Sequence, residues 1–225
     1  MTFKIGSPTS TAIKICGVTK TNQAEAIASI GVDAIGIIGV KESPRFVNEV
    51  QRRKLFKKLE ESYPYLNRVW VIANMSNHQI SEGLKGDGIP TVIQLHGEES
   101  KDYCQELRKS HPNFKWWKAI RIRSPLDISR AQSYEEHVDA LLIDAWSPNE
   151  LGGTGNRLPL QWVKNTNFQV PWWLAGGICA EWIPEIFNEV SPFGIDASSR
   201  LETAPGIKDL QRVRELVSSV KKISS

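Results

Sequence analysis

Short apolar runs alternate with longer amphipathic segments along the whole chain. Each run is of strand length and continuously hydrophobic, which is typical of strands buried on both faces. In the segments between the runs, apolar residues recur at the spacing of a helix face. After the first run, for example, Thr21 can cap a helix that stops at Gly31. The runs predict eight strands, at 12–15, 34–38, 69–73, 91–95, 116–122, 140–143, 173–175 and 193–196.

A helix is predicted after each of these strands. The helical signals are weaker near 128–133 and stronger at 180–190, and the helix after the sixth strand is expected to begin near Leu160. Strand–helix units in series imply parallel strands, because each helix returns the chain to the same end of the sheet. Eight units predict a single-domain (β/α)8 TIM barrel over residues 1–225, with residues 1–11 as a short N-terminal lead-in. An open doubly wound sheet is the alternative, but its GxGxxG motif does not follow the first strand.

Composition narrows the class of protein. Charged residues make up 24% and hydrophobic residues 40% of the 225 positions, which is ordinary for a globular domain. The net charge is +3 and the basic residues are scattered, so the sequence indicates no nucleic-acid partner. No apolar stretch is long enough for a membrane span, and the N-terminus lacks the apolar core of a secretory signal. Three cysteines without a CxxC pair favour the cytoplasm and argue against a disulfide framework or a zinc site.

Loops rich in glycine or serine follow the last three predicted strands. In a (β/α)8 barrel the functional groups lie at the C-terminal ends of the strands, and phosphate often binds after the seventh and eighth. Glycine lets backbone N–H groups approach an oxyanion closely. One such loop is explained by a tight turn, but three together favour a phosphate site. The candidate binding residues are Gly153, Gly155, Gly176, Gly177, Ser198 and Ser199.

Two titratable groups at other strand ends could exchange protons with a ligand. Cys16 follows the first strand and Asp144 follows the sixth. A thiol and a carboxyl group can act as base and acid if the site shifts each pKa toward neutrality, which suits isomerisation better than hydrolysis. The alternatives are that Cys16 is a small buried hydrophobic residue and that Asp144 caps a helix.

Arg45 and His96 extend this set of candidates. Arg45 follows Ser43 and Pro44 in the loop after the second strand, where its planar guanidinium could bind a carboxylate; a surface arginine is the alternative. His96 follows the fourth strand and could orient a ligand oxygen, or it could be a structural histidine. No cluster of ligating residues indicates a metal site or a cofactor.

Eight short motifs, taken in order, resemble those of phosphoribosylanthranilate isomerase, a barrel enzyme of tryptophan biosynthesis. The match runs from about Ile13 to the C-terminus and includes nearly all of the predicted strand ends. Each motif is weak alone, whereas their ordered conjunction is specific. The motifs are KICG at 14–17, SPR at 43–45, QLHGE at 94–98, LID at 142–144, GGTG at 152–155, LAGGI at 174–178, DASS at 196–199 and GIKD at 206–209.

The resemblance implies an Amadori rearrangement of N-(5'-phosphoribosyl)anthranilate to 1-(2-carboxyphenylamino)-1-deoxy-D-ribulose 5-phosphate, without cofactor or metal. By position, Cys16 matches the family's general base, which takes the proton from sugar C2. Asp144 matches its general acid, which protonates the ring oxygen, and Arg45 matches the residue near the anthranilate carboxylate. The glycine loops and Ser198–Ser199 match the phosphate cradle. The resemblance favours a monomer, with a homodimer as the alternative.

Two positions depart from the family's pattern. Arg200 stands where a glycine usually follows the serine pair, and residues 156–159 lack the usual lysine and aromatic residue. Arg200 leaves three outcomes open: a charge-assisted contact with the phosphate, a side chain in solvent, or crowding of the phosphate.

Two other functions stay open. One is a barrel that binds sugar phosphates without catalysis. The other is the ring-opening isomerase of histidine biosynthesis, against which Cys16 argues because those barrels usually have aspartate there.

Overall fold

Eight parallel strands close a barrel in the computed structural model, which describes residues 11–145 and 157–223. Neighbouring strands pair in chain order, and the eighth strand returns to pair with the first. The predicted (β/α)8 barrel is therefore confirmed, and the open doubly wound sheet is wrong. The strands are β1 (Ala12–Cys16), β2 (Ala34–Ile38), β3 (Asn67–Ile72), β4 (Val92–Leu95), β5 (Lys115–Ile122), β6 (Ala140–Ala145), β7 (Trp172–Ala175) and β8 (Gly194–Ala197).

Seven α-helices lie in the described ranges. Four of them begin at a polar cap, where Asn48, Ser76, Ser100 and Asp209 each accept a hydrogen bond from the backbone N–H three residues further on. None of these described helices has the length and apolar character needed to cross a membrane. The helices are α1 (Thr21–Ser29), α2 (Glu49–Ser62), α3 (Asn77–Gly83), α4 (Lys101–Ser110), α5 (Leu126–Gln132), α6 (Ile183–Glu189) and α7 (Leu210–Ile223).

The helix predicted from Leu160 onward is wrong. The chain forms only a single 3-10 turn there, at Leu160–Trp162. The segment that follows holds asparagine and threonine at 165–167 and a proline at 171, which are poor helix formers. The helix predicted at 180–190 also begins differently, because a 3-10 turn at Ala180–Trp182 precedes α6.

Two layers of side chains fill the space inside and outside the strands. Alternate residues of each strand face the barrel interior, and the others pack against the helices. Within the barrel, the rings of Trp117 and Trp173 lie 4.8 Å apart and fill the space toward the strand N-termini. Smaller side chains, including Ala175 and Cys16, belong to the same interior cluster. The C-terminal end of the barrel therefore keeps room for a cavity.

A short hairpin follows β8 and was not predicted. It consists of β9 (Glu202–Ala204) and β10 (Ile207–Lys208), which pair antiparallel. Gly206 makes the turn with a φ of 78°, a left-handed conformation that glycine adopts without strain. The hairpin returns Glu202 and Lys208 to the mouth of the barrel before α7 begins.

Candidate active site

An open cavity lies at the C-terminal end of the barrel, and the empty space in it, together with the solvent at its mouth, is about 770 Å³. The parallel strands bring their C-terminal ends to one rim, so residues far apart in the chain meet there. Gly153 and Gly155 lie outside the described residues. Every other residue that the sequence nominates lines this cavity: Cys16, Arg45, His96, Asp144, Gly176, Gly177, Ser198 and Ser199.

Cys16 ends β1 and is almost completely buried at the edge of the cavity. Lys14 precedes it by two residues in the same strand, so both side chains point into the barrel. Gly36 on β2 is paired with Cys16, and an added Cβ there would lie 2.8 Å from Cys16 Sγ and 3.1 Å from Lys14 Nζ. The missing side chain of Gly36 thus leaves the space that the thiol and the amine share.

A buried ion pair lies beside the thiol. Lys14 Nζ is 2.8 Å from Asp196 Oδ2, and the register of β1 against β8 sets the two residues opposite each other. Burial alone would lower the pKa of Lys14, but the charges of Asp196 and Cys16 raise it above its ordinary value. Lys14 is therefore an ammonium group at neutral pH.

The proton of the Cys16 thiol is under opposing influences. Burial raises the pKa of Cys16 above its ordinary value, and the charge of Asp196 adds to that increase. The positive charges of Lys14 and Lys208 act in the opposite direction. Burial prevails even with both cations nearby, so the pKa of Cys16 stays above its ordinary value, and without those cations it would lie higher still.

Asp144 faces the same cavity from β6 and contacts His96. Its Oδ2 atom lies 3.5 Å from His96 Nε2, and His96 Nδ1 lies 3.1 Å from the side-chain nitrogen of Gln94. With the amide in this orientation Gln94 donates to Nδ1, so a neutral His96 carries its proton on Nε2, toward Asp144. The hydrogen-bonded Gln94–His96 pair thus comes close to Asp144, although His96 Nε2 has no hydrogen-bond partner among the described residues.

Arg45 lines the cavity while its guanidinium is bound within the protein. Its Nε and Nη2 atoms donate to both carboxylate oxygens of Glu202 over 2.8–3.1 Å. Glu202 also accepts a hydrogen bond from Lys208 Nζ at 2.7 Å. Burial would raise the pKa of Glu202, but Arg45 and Lys208 together lower it below its ordinary value. Arg45 thus binds a carboxylate, as its fork geometry predicts, and in this structure the carboxylate belongs to Glu202.

The candidate phosphate side has the backbone conformation that glycine permits. Gly176 and Gly177 have φ values of 93° and 66°, in the left-handed region. Ser198 and Ser199 directly follow β8 and are half-buried. Arg200 follows in a 3-10 turn without a positive φ, and its exposed side chain lines the cavity. Arginine therefore replaces the usual glycine here without backbone strain.

Comparison with known families identifies the chain. The model of the N-(5'-phosphoribosyl)anthranilate (PRA) isomerase family matches residues 13–219. The chain belongs to this family. A PRA isomerase of Nostoc punctiforme is 43% identical over 204 residues, which are 91% of this chain and 95% of that protein. The resemblance drawn from the ordered motifs is confirmed.

Solved structures of PRA isomerases share the barrel. The crystal structure of the Thermotoga maritima enzyme superimposes with a TM-score of 0.84 at 25% identity, covering 94% of this chain and 99% of that one. A second structure is of a PRA isomerase in complex with reduced 1-(o-carboxyphenylamino)-1-deoxyribulose 5-phosphate. It has a TM-score of 0.81 at 24% identity, with the same coverage of 94% and 99%.

Four charged residues that lie at the site in the structure are not among the site residues predicted from the sequence. Lys14 and Asp196 form the ion pair beside Cys16, and Glu202 and Lys208 hold Arg45 and the serine loop. A signal was present for the first two, because each interrupts an otherwise apolar strand. Within the described ranges, no group of three or more His, Cys, Asp or Glu side chains is arranged to hold a metal ion.

Proposed function

We propose that this chain is a PRA isomerase that converts N-(5'-phosphoribosyl)anthranilate to 1-(2-carboxyphenylamino)-1-deoxy-D-ribulose 5-phosphate in tryptophan biosynthesis. One observation carries the proposal: Cys16 and Asp144 line a single cavity together with the glycine and serine loops. A base, an acid and a phosphate cradle are what this rearrangement requires, and membership of the family names the substrate. Nothing in the reaction calls for a cofactor.

Asp144 acts as the general acid in the first step. The bond between C1 and the ring oxygen breaks, and its electron pair moves to the oxygen, which takes the proton of Asp144. The lone pair of the anthranilate nitrogen forms a double bond to C1, giving an open-chain iminium ion. His96 lies 3.5 Å from the Asp144 carboxylate in the same cavity.

Cys16 acts as the general base in the second step. Its thiolate takes the proton from C2, the C–H electron pair forms the C1–C2 double bond, and the iminium electron pair returns to nitrogen. The resulting enolamine gains a proton at C1 and loses the hydroxyl proton at O2, which leaves the ketone. A positioned base and acid of this kind contribute about 10²- to 10⁴-fold each.

Backbone and side-chain groups around the cavity orient the substrate. The amides near Gly176 and Gly177, together with Ser198 and Ser199, bind the phosphate, as do Gly153 and Gly155. The anthranilate carboxylate lies toward Arg45, whose guanidinium Glu202 holds in place. These assignments rest on the cavity lining and on the family's motifs.

The test is turnover of freshly prepared PRA by the purified protein, followed as loss of the substrate's fluorescence. Asp144→Asn is expected to lower kcat by about 100-fold or more. The matched control is Asp139→Asn, because Asp139 lies just before the opposite end of β6 and pairs with Arg108 at 2.9 Å. The control is expected to keep most of the turnover.

Two results would overturn the proposal. If folded wild-type protein leaves the fluorescence unchanged but binds a product analogue, the chain is a binding barrel. If it turns over the aminoimidazole carboxamide ribonucleotide instead, it is the histidine-pathway isomerase. Cys16 in place of the aspartate usual in that enzyme favours the tryptophan-pathway reaction.

We also propose that the chain acts as one barrel domain, as a monomer, in the cytoplasm. All three cysteines are free, which suits a reducing compartment. The exposed large apolar side chains are single residues on separate elements, for example Val50, Tyr65 and Leu126. Light scattering on a sizing column is expected to give a mass near 25.3 kDa, and a mass of twice that would establish the homodimer.

A further inference from the structure

As a base, Cys16 must be a thiolate, but its buried surroundings favour the protonated thiol. A buried thiol holds its proton more tightly than a free one, and burial is the largest influence on the pKa of Cys16. A base must lose that proton before substrate arrives. The charged groups that act on the sulfur come from three elements: Lys14 from β1, Asp196 from β8 and Lys208 from β10.

Lys14 is the cation best placed to act on the sulfur. It is wholly buried, and it shares with Cys16 the space left by Gly36, where one added Cβ would lie 2.8 Å from the sulfur and 3.1 Å from the Lys14 nitrogen. Asp196 fixes the amine at 2.8 Å and keeps it charged. The ammonium group therefore cannot turn away to solvent, as an exposed lysine would.

Lys208 has a weaker claim. Its Nζ atom donates to Glu202 at 2.7 Å and to both oxygens of Ser198 at 3.2–3.3 Å. Its effect on the thiol is a charge effect alone and is smaller than that of Lys14. Lys208 thus mainly holds the hairpin and the serine loop.

We propose that Lys14 is a positioning residue for the proposed base: its ammonium group, held by Asp196, faces the Cys16 sulfur and stabilises the thiolate that accepts the C2 proton. The inference rests on the proposed function for the identity of that proton. The charge interaction itself exists in the free protein, so it is measurable without turnover. Asp196 has two opposite effects, because it anchors Lys14 while its own negative charge disfavours the thiolate.

The experiment measures the alkylation of Cys16 by iodoacetamide as a function of pH. Only the thiolate reacts, and peptide mass spectrometry separates Cys16 from Cys104 and Cys179. In Lys14→Met the midpoint of the alkylation curve is expected to move to higher pH by about one unit, the usual effect of losing a close opposite charge. In Asp196→Asn it is expected to move to lower pH.

Opposite shifts distinguish a charge effect from a structural one, since loosened packing would move both midpoints in the same direction. Lys118→Met is the matched control, because Lys118 is also wholly buried and lies 2.9 Å from Glu99 Oε2, away from Cys16. Its midpoint is expected to equal that of the wild type. If Lys14→Met keeps the wild-type midpoint, or if the two variants shift together, the inference is wrong.

The inference remains testable if Lys14→Met fails to fold. The double variant Lys14→Met/Asp196→Asn has no unpaired buried charge, and its midpoint is expected to lie above that of Asp196→Asn alone; equal midpoints would overturn the inference. Failure of the proposed function is a separate result. Loss of PRA turnover in the wild type would leave the alkylation shifts in place, whereas absent shifts in an active enzyme would remove Lys14 alone.

Discussion

Two of the buried lysine–carboxylate pairs of this barrel, Lys118–Glu99 and Lys14–Asp196, differ in how completely their polar atoms are bonded. Lys118 Nζ lies 2.9 Å from Glu99 Oε2 and also donates to three backbone carbonyls. The carboxylate of Glu99 accepts backbone N–H groups from Asn74 and Gly97. Every charged atom of this pair has partners, and the result ties the loop after β3 to the loop after β4.

The Lys14–Asp196 pair has nearly the same nitrogen–oxygen distance, but its carboxylate is not fully hydrogen-bonded. Among the residues that the structure describes, Asp196 Oδ1 has no hydrogen-bond partner, although it is buried. Asp196 lines the cavity, and Lys14 shares with the Cys16 sulfur the space left by Gly36. The same two functional groups therefore stabilise the fold where they are fully bonded and serve the site where they are not.

The largest expected effect concerns Cys16, which lies beside the Lys14–Asp196 pair. Cys16→Ala is expected to lower kcat by about 100-fold or more, because the C2 proton loses its acceptor. The urea midpoint is expected to change little, since alanine leaves a small gap at the cavity edge. Cys179→Ala, a half-buried thiol outside the barrel interior, is the control in both measurements. Near-wild-type turnover of Cys16→Ala would remove this residue from its role.

The fully bonded pair is expected to show the reverse pattern. Lys118→Met should cost about 3–5 kcal/mol in the free energy of unfolding, because it leaves the Glu99 carboxylate buried without its cation. Urea denaturation measures this loss. The double variant Lys118→Met/Glu99→Gln is expected to recover part of the stability. If the single variant unfolds at the wild-type urea concentration, the contrast between the two pairs fails.

A smaller effect is expected at Arg200, which distinguishes its three possible roles. Arg200→Gly is expected to raise KM about three- to tenfold at low salt, because an exposed charge near the phosphate contributes a modest, screened attraction. The effect should shrink as salt is added. Arg214→Ala removes an exposed arginine of α7 that does not line the cavity, and it serves as the control. A lower KM in Arg200→Gly would indicate crowding, and an unchanged KM would place the side chain in solvent.

The smallest effect concerns acid stability. The pKa of Glu202 lies below its ordinary value of 4.5, so the unfolded chain binds a proton more readily than the folded one. The contribution of Glu202 to the free energy of unfolding is complete above the pKa of the unfolded chain. It is lost as the pH falls through the lower pKa of the folded protein. Urea unfolding between about pH 6 and pH 3 is expected to show a steeper loss for the wild type than for Glu202→Gln. Parallel curves would contradict this prediction.

The sequence predicts the strands and the rim of this molecule well for a physical reason. Strands buried on both faces are continuous apolar runs, and parallel order then assigns Cys16, His96 and Asp144 to one end of the barrel. Helix prediction failed after β6, where tertiary packing allows one 3-10 turn in place of a helix. The hairpin at 202–208 was missed because its strands are too short for a periodic signal.

The partners of the charged residues could not be predicted in the same way. That Lys14 meets Asp196 depends on closure of β1 against β8, and that Glu202 meets Arg45 depends on a hairpin absent from the pattern. The sequence shows a charge in an apolar strand but not the group opposite it. Arg45 illustrates the point, since its fork binds a carboxylate from the protein itself.

The barrel can close only after β8 has been synthesised. Lys14 and Asp196 are 182 residues apart, so at about 5–20 residues per second β1 waits roughly 10–40 s for β8, its second partner strand after β2. During that interval one edge of this apolar strand lacks its partner. A charge within such a strand acts as a gatekeeper against intermolecular pairing. Lys14 places such a charge in the first strand of the barrel.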